Sequence, residues 1–221
     1  MKERFEVIRE ICHGKSCLDI GIVGDVQHHL REPDKWVFHH AGEVSSELVG
    51  LDLEASALAT LKARGYRNLV CANAEDFALS KRFDVIVGGE IIEHLNNPGS
   101  FLDRCREHLA PGGLIVITTP NTFSVNNLVK GLLFGRVALF HEHVNAYTVG
   151  LLDELLRRHG LETVRVEYFT ERNPGLKNVV FRLLSRLRYT WAEGILIVGR
   201  AAAPAVSAGS HPHSFPSDRR Q

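Results

Sequence analysis

A chain of 221 residues is long enough for one sizeable core, and 44% hydrophobic with 24% charged residues is ordinary for a globular protein. Its 26 basic residues balance its 26 acidic ones, which removes any global electrostatic case for nucleic acid and leaves only a local basic patch to consider. The four cysteines, Cys12, Cys17, Cys71 and Cys105, are scattered without a C-x-x-C pair, a pattern that points to neither a zinc site nor a disulfide framework.

Cys17 and Cys71 lie in or beside strand-like runs and read as small buried apolar residues. The opening MKERFEVIREI is charged and helical in pattern, without a signal-peptide core, and no run approaches a membrane span. A reducing cytoplasm is the expected setting.

Phe5, Val7, Ile8, Ile11 and Cys12 form a helix-like stripe that His13-Gly14-Lys15 ends. Ser16 to Gly21 is an apolar run closing in Asp-x-Gly. A His-rich stretch broken by Pro33 follows, then a short helix over Lys35 to Ala41. The pairs His28-His29 and His39-His40 flank Trp36 and suit a solvated or packing role, because adjacent residues diverge on a helix.

Glu47 to Leu53 is the next strand, Ala55 to Arg64 a helix stopped by Gly65, and Asn68 to Ala72 a third strand. Phe83 to Gly88 is a fourth, Ser100 to Leu109 an amphipathic helix closed by Pro111-Gly112-Gly113, and Leu114 to Thr119 a fifth. Val125 to Phe140 is apolar with basic punctuation. Val149 to His159 is an amphipathic helix, with Thr148 suited to its N-cap and Gly160 to its C-cap. Leu161 to Phe169 alternates as a strand, Pro174 to Leu187 reads as a basic helix, and Ile195 to Val198 is a last strand. The final residues, rich in Ala, Pro, Ser and His, have little to bury.

This alternation predicts an α/β, Rossmann-like, doubly wound fold: a mostly parallel seven-stranded sheet with helices on both faces. Residues 1–200 read as a single domain, with 122–149 a substrate-side insertion or lid and 201–221 a disordered tail. In such sheets ligands bind at the carboxyl ends of strands. Asp19, Asp52, Asn73 and Glu90 fall at or just beyond four such ends.

The stretch Phe83 to Asn121 holds the densest chemistry. If the turn after its first strand winds into helix, Glu90, Glu93 and His94 share one face at i, i+3 and i+4. Two readings stand: a structural brace for the turn, or a partial shell for a divalent cation completed from His141-Glu142-His143.

In order and spacing, Cys17 to Val198 resembles the class I S-adenosylmethionine-dependent methyltransferases. The motifs are CLDIGIVGD (17–25), VGLDLEASAL with Asp52, CANAEDF with Asn73, and FDVIVGGEIIEHL followed by LAPGGLIVITTPN. The family repeats glycine at alternate positions after the first acid; here Val23 and Asp25 stand at those positions with Gly24 between them. The resemblance implies S-adenosyl-L-methionine as cofactor, with Asp19, Gly21 and Gly24 under its methionine part, Asp52 and Leu53 at the ribose, Asn73, Ala74 and Glu75 beside the adenine, and Glu90 on the same wall.

EIIEHL, then TTPN, then EHVNAYT is similar to the small-RNA 3′-terminal 2′-O-methyltransferases, and the Glu-x-x-Glu-His part to the ubiquinone-biosynthesis O-methyltransferases. Carried over, this implies Mg²⁺ or Mn²⁺ on Glu90, Glu93, His94 and His143. The expected chemistry is methyl transfer to a hydroxyl, helped by the metal or by His141 or His143 as general base, with Glu90 a further catalytic candidate. The balanced charge ranks a small-molecule or saccharide acceptor above RNA, since the basic residues Lys177, Arg182, Arg186 and Arg188 lie on one late helix. The apolar segment 125–140 together with 178–188 also raises contact with a membrane surface. A non-catalytic binding partner remains the third reading.

Overall fold

The computed structural model describes residues 3–135, 142–170 and 188–203. Within them β1 (Ser16–Ile20), β2 (Glu47–Asp52), β3 (Leu69–Cys71), β4 (Phe83–Gly89), β5 (Leu109–Pro120), β6 (Leu161–Phe169) and β7 (Gly194–Ala201) form one sheet. The strand order is β3-β2-β1-β4-β5-β7-β6. Strands β1 to β5 pair in parallel, whereas β7 runs antiparallel to both its neighbours, β5 and β6. This is the mostly parallel, Rossmann-like sheet expected from the alternation.

Side chains alternate between the two faces of a strand, and the sequence uses this. Val85, Val87, Val116 and Val198 join Val7, Ile8, Cys12 and Ala41 in one cluster, under helices α1 (Arg4–Cys12) and α3 (Val37–Gly42). The interleaved Ile86, Ile115, Ile117 and Ile197 join Phe101, Leu102, Leu152 and Leu156 on the other face. Those come from α5 (Pro98–His108) and α7 (Val149–Arg158). Phe101 is fully buried, and a Cβ on Gly88 would come within 3.0 Å of its ring, so strand and helix meet at van der Waals distance. A third cluster ties Trp36 and Phe38 to Leu58 and Leu61 of α4 (Ala55–Ala63).

Caps explain most boundaries. Asn97 accepts from the Ser100 N–H with Pro98 behind it, so α5 begins at Pro98, earlier than its apolar stripe. Thr148 caps α7 by accepting from Leu151, and Gly160, at φ +70°, follows its end. The helix expected over Lys35 to Ala41 is α3, starting two residues later because Lys35 ends a 3-10 turn (Pro33–Lys35) and Trp36 is extended; the His-rich stretch before it also forms a short helix, α2 (Val26–Arg31). β5 starts at Leu109 because Leu109 pairs with Phe83 across a register shift, ahead of the apolar run. Cys17 is buried but Cys71 is exposed, a correction: it ends the edge strand β3, where only one neighbour covers the chain.

Of the 125–140 segment, α6 (Val125–Phe134) is described; the basic helix expected over 174–187 and nearly all of the tail lie outside the described residues. No helix among the described residues is long and apolar enough to cross a membrane.

Candidate functional site

Because β1 lies between β2 and β4, the connections leaving these strands diverge and open a crevice at their carboxyl ends. A cavity of about 320 Å³ occupies it, in the size range of small-ligand sites. Gly21, Gly24, Asp52, Leu53, Asn73, Ala74 and Glu90 line it, together with Ile91, His94 and Glu142. Seven of the nine sequence-predicted cofactor residues therefore line one cavity. The other two do not. Asp19 is buried inside β1, 2% exposed, and Glu75 accepts the Asn97 N–H at 2.9 Å, tying the loop before α5.

The glycine turn is built for close approach. Gly21 has φ +80°, and a Cβ there would sit 2.7 Å from Ile91 Cδ1. Asp52 holds the turn shut: Oδ2 accepts from the Val23 N–H at 2.8 Å and Oδ1 from Glu54 N–H at 3.0 Å. Each carboxylate oxygen keeps a further lone-pair direction. Beneath the turn, burial pushes the Asp19 carboxyl well above the usual carboxylate range, the Asp52 charge adding to it. Its Oδ2 is buried with no hydrogen-bond partner among the described residues.

At the end of β4 the structure departs from the helical expectation. Glu90 has a left-handed backbone, φ +53°, which costs a non-glycine residue about 1–2 kcal/mol. Its N–H is anchored to Thr118, with the carbonyl at 3.0 Å and the hydroxyl at 3.2 Å. The chain then closes a tight turn, His94 N–H to Ile91 carbonyl, rather than entering a helix. Glu90, Glu93 and His94 consequently do not share a helical face. The Glu90 carboxylate meets the Arg4 guanidinium at 3.5 Å, and Arg4 also lies over the rings of Phe5 and Phe169.

Glu93 and His94 find a different companion. Their ligand atoms and one of His143 all lie within 4.8 Å of one another, and the His94 and His143 rings meet edge to face at 4.7 Å. The fold brings His143 there by backbone bonds: the N–H groups of Val144 and Asn145 both donate to the Glu93 carbonyl at 3.0 Å. The Asn145 amide donates to the Leu95 carbonyl at 2.6 Å. Three of the four residues named as metal ligands are thus gathered, and Glu90 is not part of that group. His141 lies outside the described residues.

Glu93 is buried, and its carboxyl is pushed up to about 8 by that burial and by the Glu90 charge. The Thr119 hydroxyl donates to Oε2 at 3.0 Å, while Oε1 is buried without a hydrogen-bond partner among the described residues. His94 Nδ1 lies 3.3 Å from the Glu142 carbonyl, a partner that helps fix the ring. Burial and the neighbouring His94 lower the His143 pKa, so it is neutral at pH 7. Tyr147, on the same loop, is raised to about 12 by burial and by the Glu93 charge.

Sequence reasoning missed Arg4, Thr119, Asn145 and Ile91. Asn145 sat in the quoted EHVNAYT, but nothing local signals that its amide crosses to Leu95; Arg4 is separated from Glu90 by the whole first half of the sheet.

The chain belongs to the methyltransferase-domain family, whose model matches residues 13–166. Curated relatives include the ubiquinone biosynthesis O-methyltransferase of Nitrobacter winogradskyi, 34% identical over 83 residues that make up 35% of this chain and 32% of that one. The protein of the same name from Cereibacter sphaeroides is 33% identical over 169 residues, 68% of this chain and 62% of that one. This chain therefore spans less than two thirds of the length of these relatives. Among solved structures, an S-adenosylmethionine-dependent methyltransferase from Mesorhizobium loti superposes with a TM-score of 0.58 at 20% identity, covering 89% of this chain and 95% of that one. It shares the fold.

Proposed function

We propose that this chain transfers the methyl group of S-adenosyl-L-methionine to a hydroxyl oxygen of a small molecule or saccharide, with Mg²⁺ or Mn²⁺ held by Glu93, His94 and His143. The observation that carries this reading is the place of His94, which belongs both to the three-residue ligand group and to the cavity wall. Donor and acceptor sites therefore adjoin. That the relatives are O-methyltransferases supports oxygen as the acceptor.

The residues present fit both bound groups. For the cofactor, the Gly21 cradle, the remaining lone pairs of Asp52 and the carboxamide of Asn73 suit a nucleoside: two hydroxyls for Asp52 and a base edge for Asn73. For the cation, one carboxylate with an orphaned oxygen and two imidazoles form a mixed oxygen–nitrogen donor set, each backed by a second hydrogen bond or ring contact. When bound, such a cation lowers the pKa of a coordinated hydroxyl and orients it.

In the transfer a carbon–oxygen bond forms as the carbon–sulfur bond breaks, S-adenosylhomocysteine leaves, and the hydroxyl proton must be taken up. With its lone pair given to a cation His143 would be closed to a proton, and Glu90, one of the carboxylates on the cavity wall, would take it; without a cation, neutral His143 serves as base. We assign residues 122–149 as the substrate-side insertion of a single domain. In α6, Leu132, Leu133 and Phe134 are exposed beside Lys130, which suits an apolar or amphiphilic acceptor.

The test is methyl transfer from labelled cofactor to catechols, sugars and 3′-terminal RNA, in Mn²⁺ or in EDTA, for wild type and Glu93→Ala. Labelling of a catechol or sugar that EDTA and Glu93→Ala both abolish is the expected result. Transfer untouched by chelator refutes the cation, labelled RNA refutes the acceptor class, and failure to bind S-adenosylhomocysteine leaves a binding scaffold.

A further inference from the structure

The insertion between β1 and β2 holds a histidine that the transfer site, as described so far, does not use. Trp36 is 2% exposed, and its indole N–H donates to the Ile22 carbonyl at 2.8 Å, so its plane is fixed. His29 lies flat against it, with ring centroids 5.1 Å apart and planes 5° from parallel. A ring held this way has little rotational freedom left to lose on binding a ligand. It also lies beside Gly24, which lines the cavity: a Cβ at that position would stand 3.3 Å from His29 Nε2. The absence of a side chain at residue 24 leaves room between Nε2 and the glycine turn.

The protonation state follows from the surroundings. His29 Nδ1 is buried with no hydrogen-bond partner among the described residues. Burial first, then the charge of His28, hold the imidazole below its usual pKa against an opposing pull from Asp25, with Arg4 adding a smaller push downward. A neutral ring must carry its one proton on one nitrogen. An orphaned buried donor is less tolerable than an orphaned acceptor, so the proton sits on Nε2 and that nitrogen is a hydrogen-bond donor beside Gly24.

What it faces is set by the sheet order. Asp52 and Asn73 end β2 and β3, which places a nucleoside at that side, while Glu90 and His94 follow β4 on the other side. The turn that follows β1, with Gly21 and Gly24, would then be the part of the cavity to hold the amino-acid end of the molecule. That end bears the molecule's one carboxylate, an acceptor with no donor side chain yet assigned to it.

We propose that His29, clamped on Trp36, is a cofactor-binding residue that donates from Nε2 past Gly24 to the amino-acid carboxylate of S-adenosylmethionine and S-adenosylhomocysteine. The inference rests on the cofactor reading above. It gives Gly24, which falls between the positions where the family repeats glycine, a role of its own: clearing the line between the imidazole and the ligand.

The experiment is calorimetric titration of the full chain with two probes, S-adenosylhomocysteine and 5′-methylthioadenosine, which shares the nucleoside and sulfur but lacks the amino-acid end. His29→Phe keeps a ring to stack on Trp36 and removes the donor; His29→Gln restores one. A hydrogen bond to a charged group corresponds to a loss of roughly 10- to 100-fold. His29→Phe is expected to weaken S-adenosylhomocysteine by about that factor and leave 5′-methylthioadenosine within about twofold, with His29→Gln recovering part of the loss. Equal weakening of both probes marks a structural role and overturns the proposal, as does no change in either. Wild type that binds neither probe overturns the cofactor reading itself, a different outcome from wild type that binds both with His29→Phe indistinguishable from it.

Discussion

Replacing Glu93 by glutamine should stabilise the protein, and only above mildly acidic pH. The Glu93 carboxyl is raised from an ordinary 4.5 to about 8, so between those values the unfolded chain ionises while the folded one stays protonated. An acid raised on folding subtracts from stability as pH climbs through its unfolded value, and the loss levels off near the folded one. At pH 7 the gap from the ordinary value is 2.5 units, which at about 1.4 kcal/mol per unit comes to about 3 kcal/mol of destabilisation. Glutamine keeps an oxygen for the Thr119 hydroxyl but cannot ionise. Denaturant unfolding in EDTA should therefore show Glu93→Gln more stable than wild type by a few kcal/mol at pH 7 and equal to it at pH 4. Saturating Mn²⁺ should reverse the order at pH 7, because the cation binds the ionised wild-type carboxylate and stabilises only the state that holds it. A wild-type-minus-variant difference that stays the same at pH 4 and pH 7 refutes the burial argument.

Removing the Asn145 amide, which pins the His143 loop to the Leu95 carbonyl, should weaken Mn²⁺ binding by about 10- to 100-fold in titration, with little change in S-adenosylhomocysteine affinity. Asp52→Ala removes the acceptor of the Val23 N–H and the one proposed for a ribose; S-adenosylhomocysteine affinity should fall by about 100-fold or more, and 5′-methylthioadenosine should fall with it. Glu90→Gly relieves the left-handed strain, so its melting temperature should stay near wild type while methyl transfer falls; Glu90→Ala keeps the strain and loses the Arg4 pair, and should melt lower.

Strand identity was legible because the sheet is buried on both faces, and runs such as Phe83 to Gly88 have no other apolar partner pattern to satisfy. Asp52, Asn73 and the glycines were legible as a site because topology alone puts strand ends together. The turn at Glu90 was not. Its left-handed backbone is imposed by two bonds to Thr118, 28 residues away, and no local propensity of Glu-Ile-Ile-Glu-His announces it. His143 could be named from the sequence as a residue type, but its return to Glu93 depends on backbone bonds that carry no sequence signature. His29 was set aside because neighbouring histidines diverge on a helix; that is true of the pair, and it is why only one of them lies flat on Trp36.

The place of β7 bears on how the molecule comes to exist during synthesis. Among the described residues β6 pairs only with β7, which is made after it. The Asn121 amide, at the root of the segment leading to α6 and His143, donates to the carbonyls of Thr190 and Ala192, and its N–H to that of Glu193. The five parallel strands can therefore pair while the chain is still emerging. β6 waits as an unpaired edge, and the start of the segment leading to α6 is fastened only when residues near 190 arrive. The order of translation thus lets the strand ends that carry Asp52 and Asn73 assemble before the segment leading to His143 is anchored.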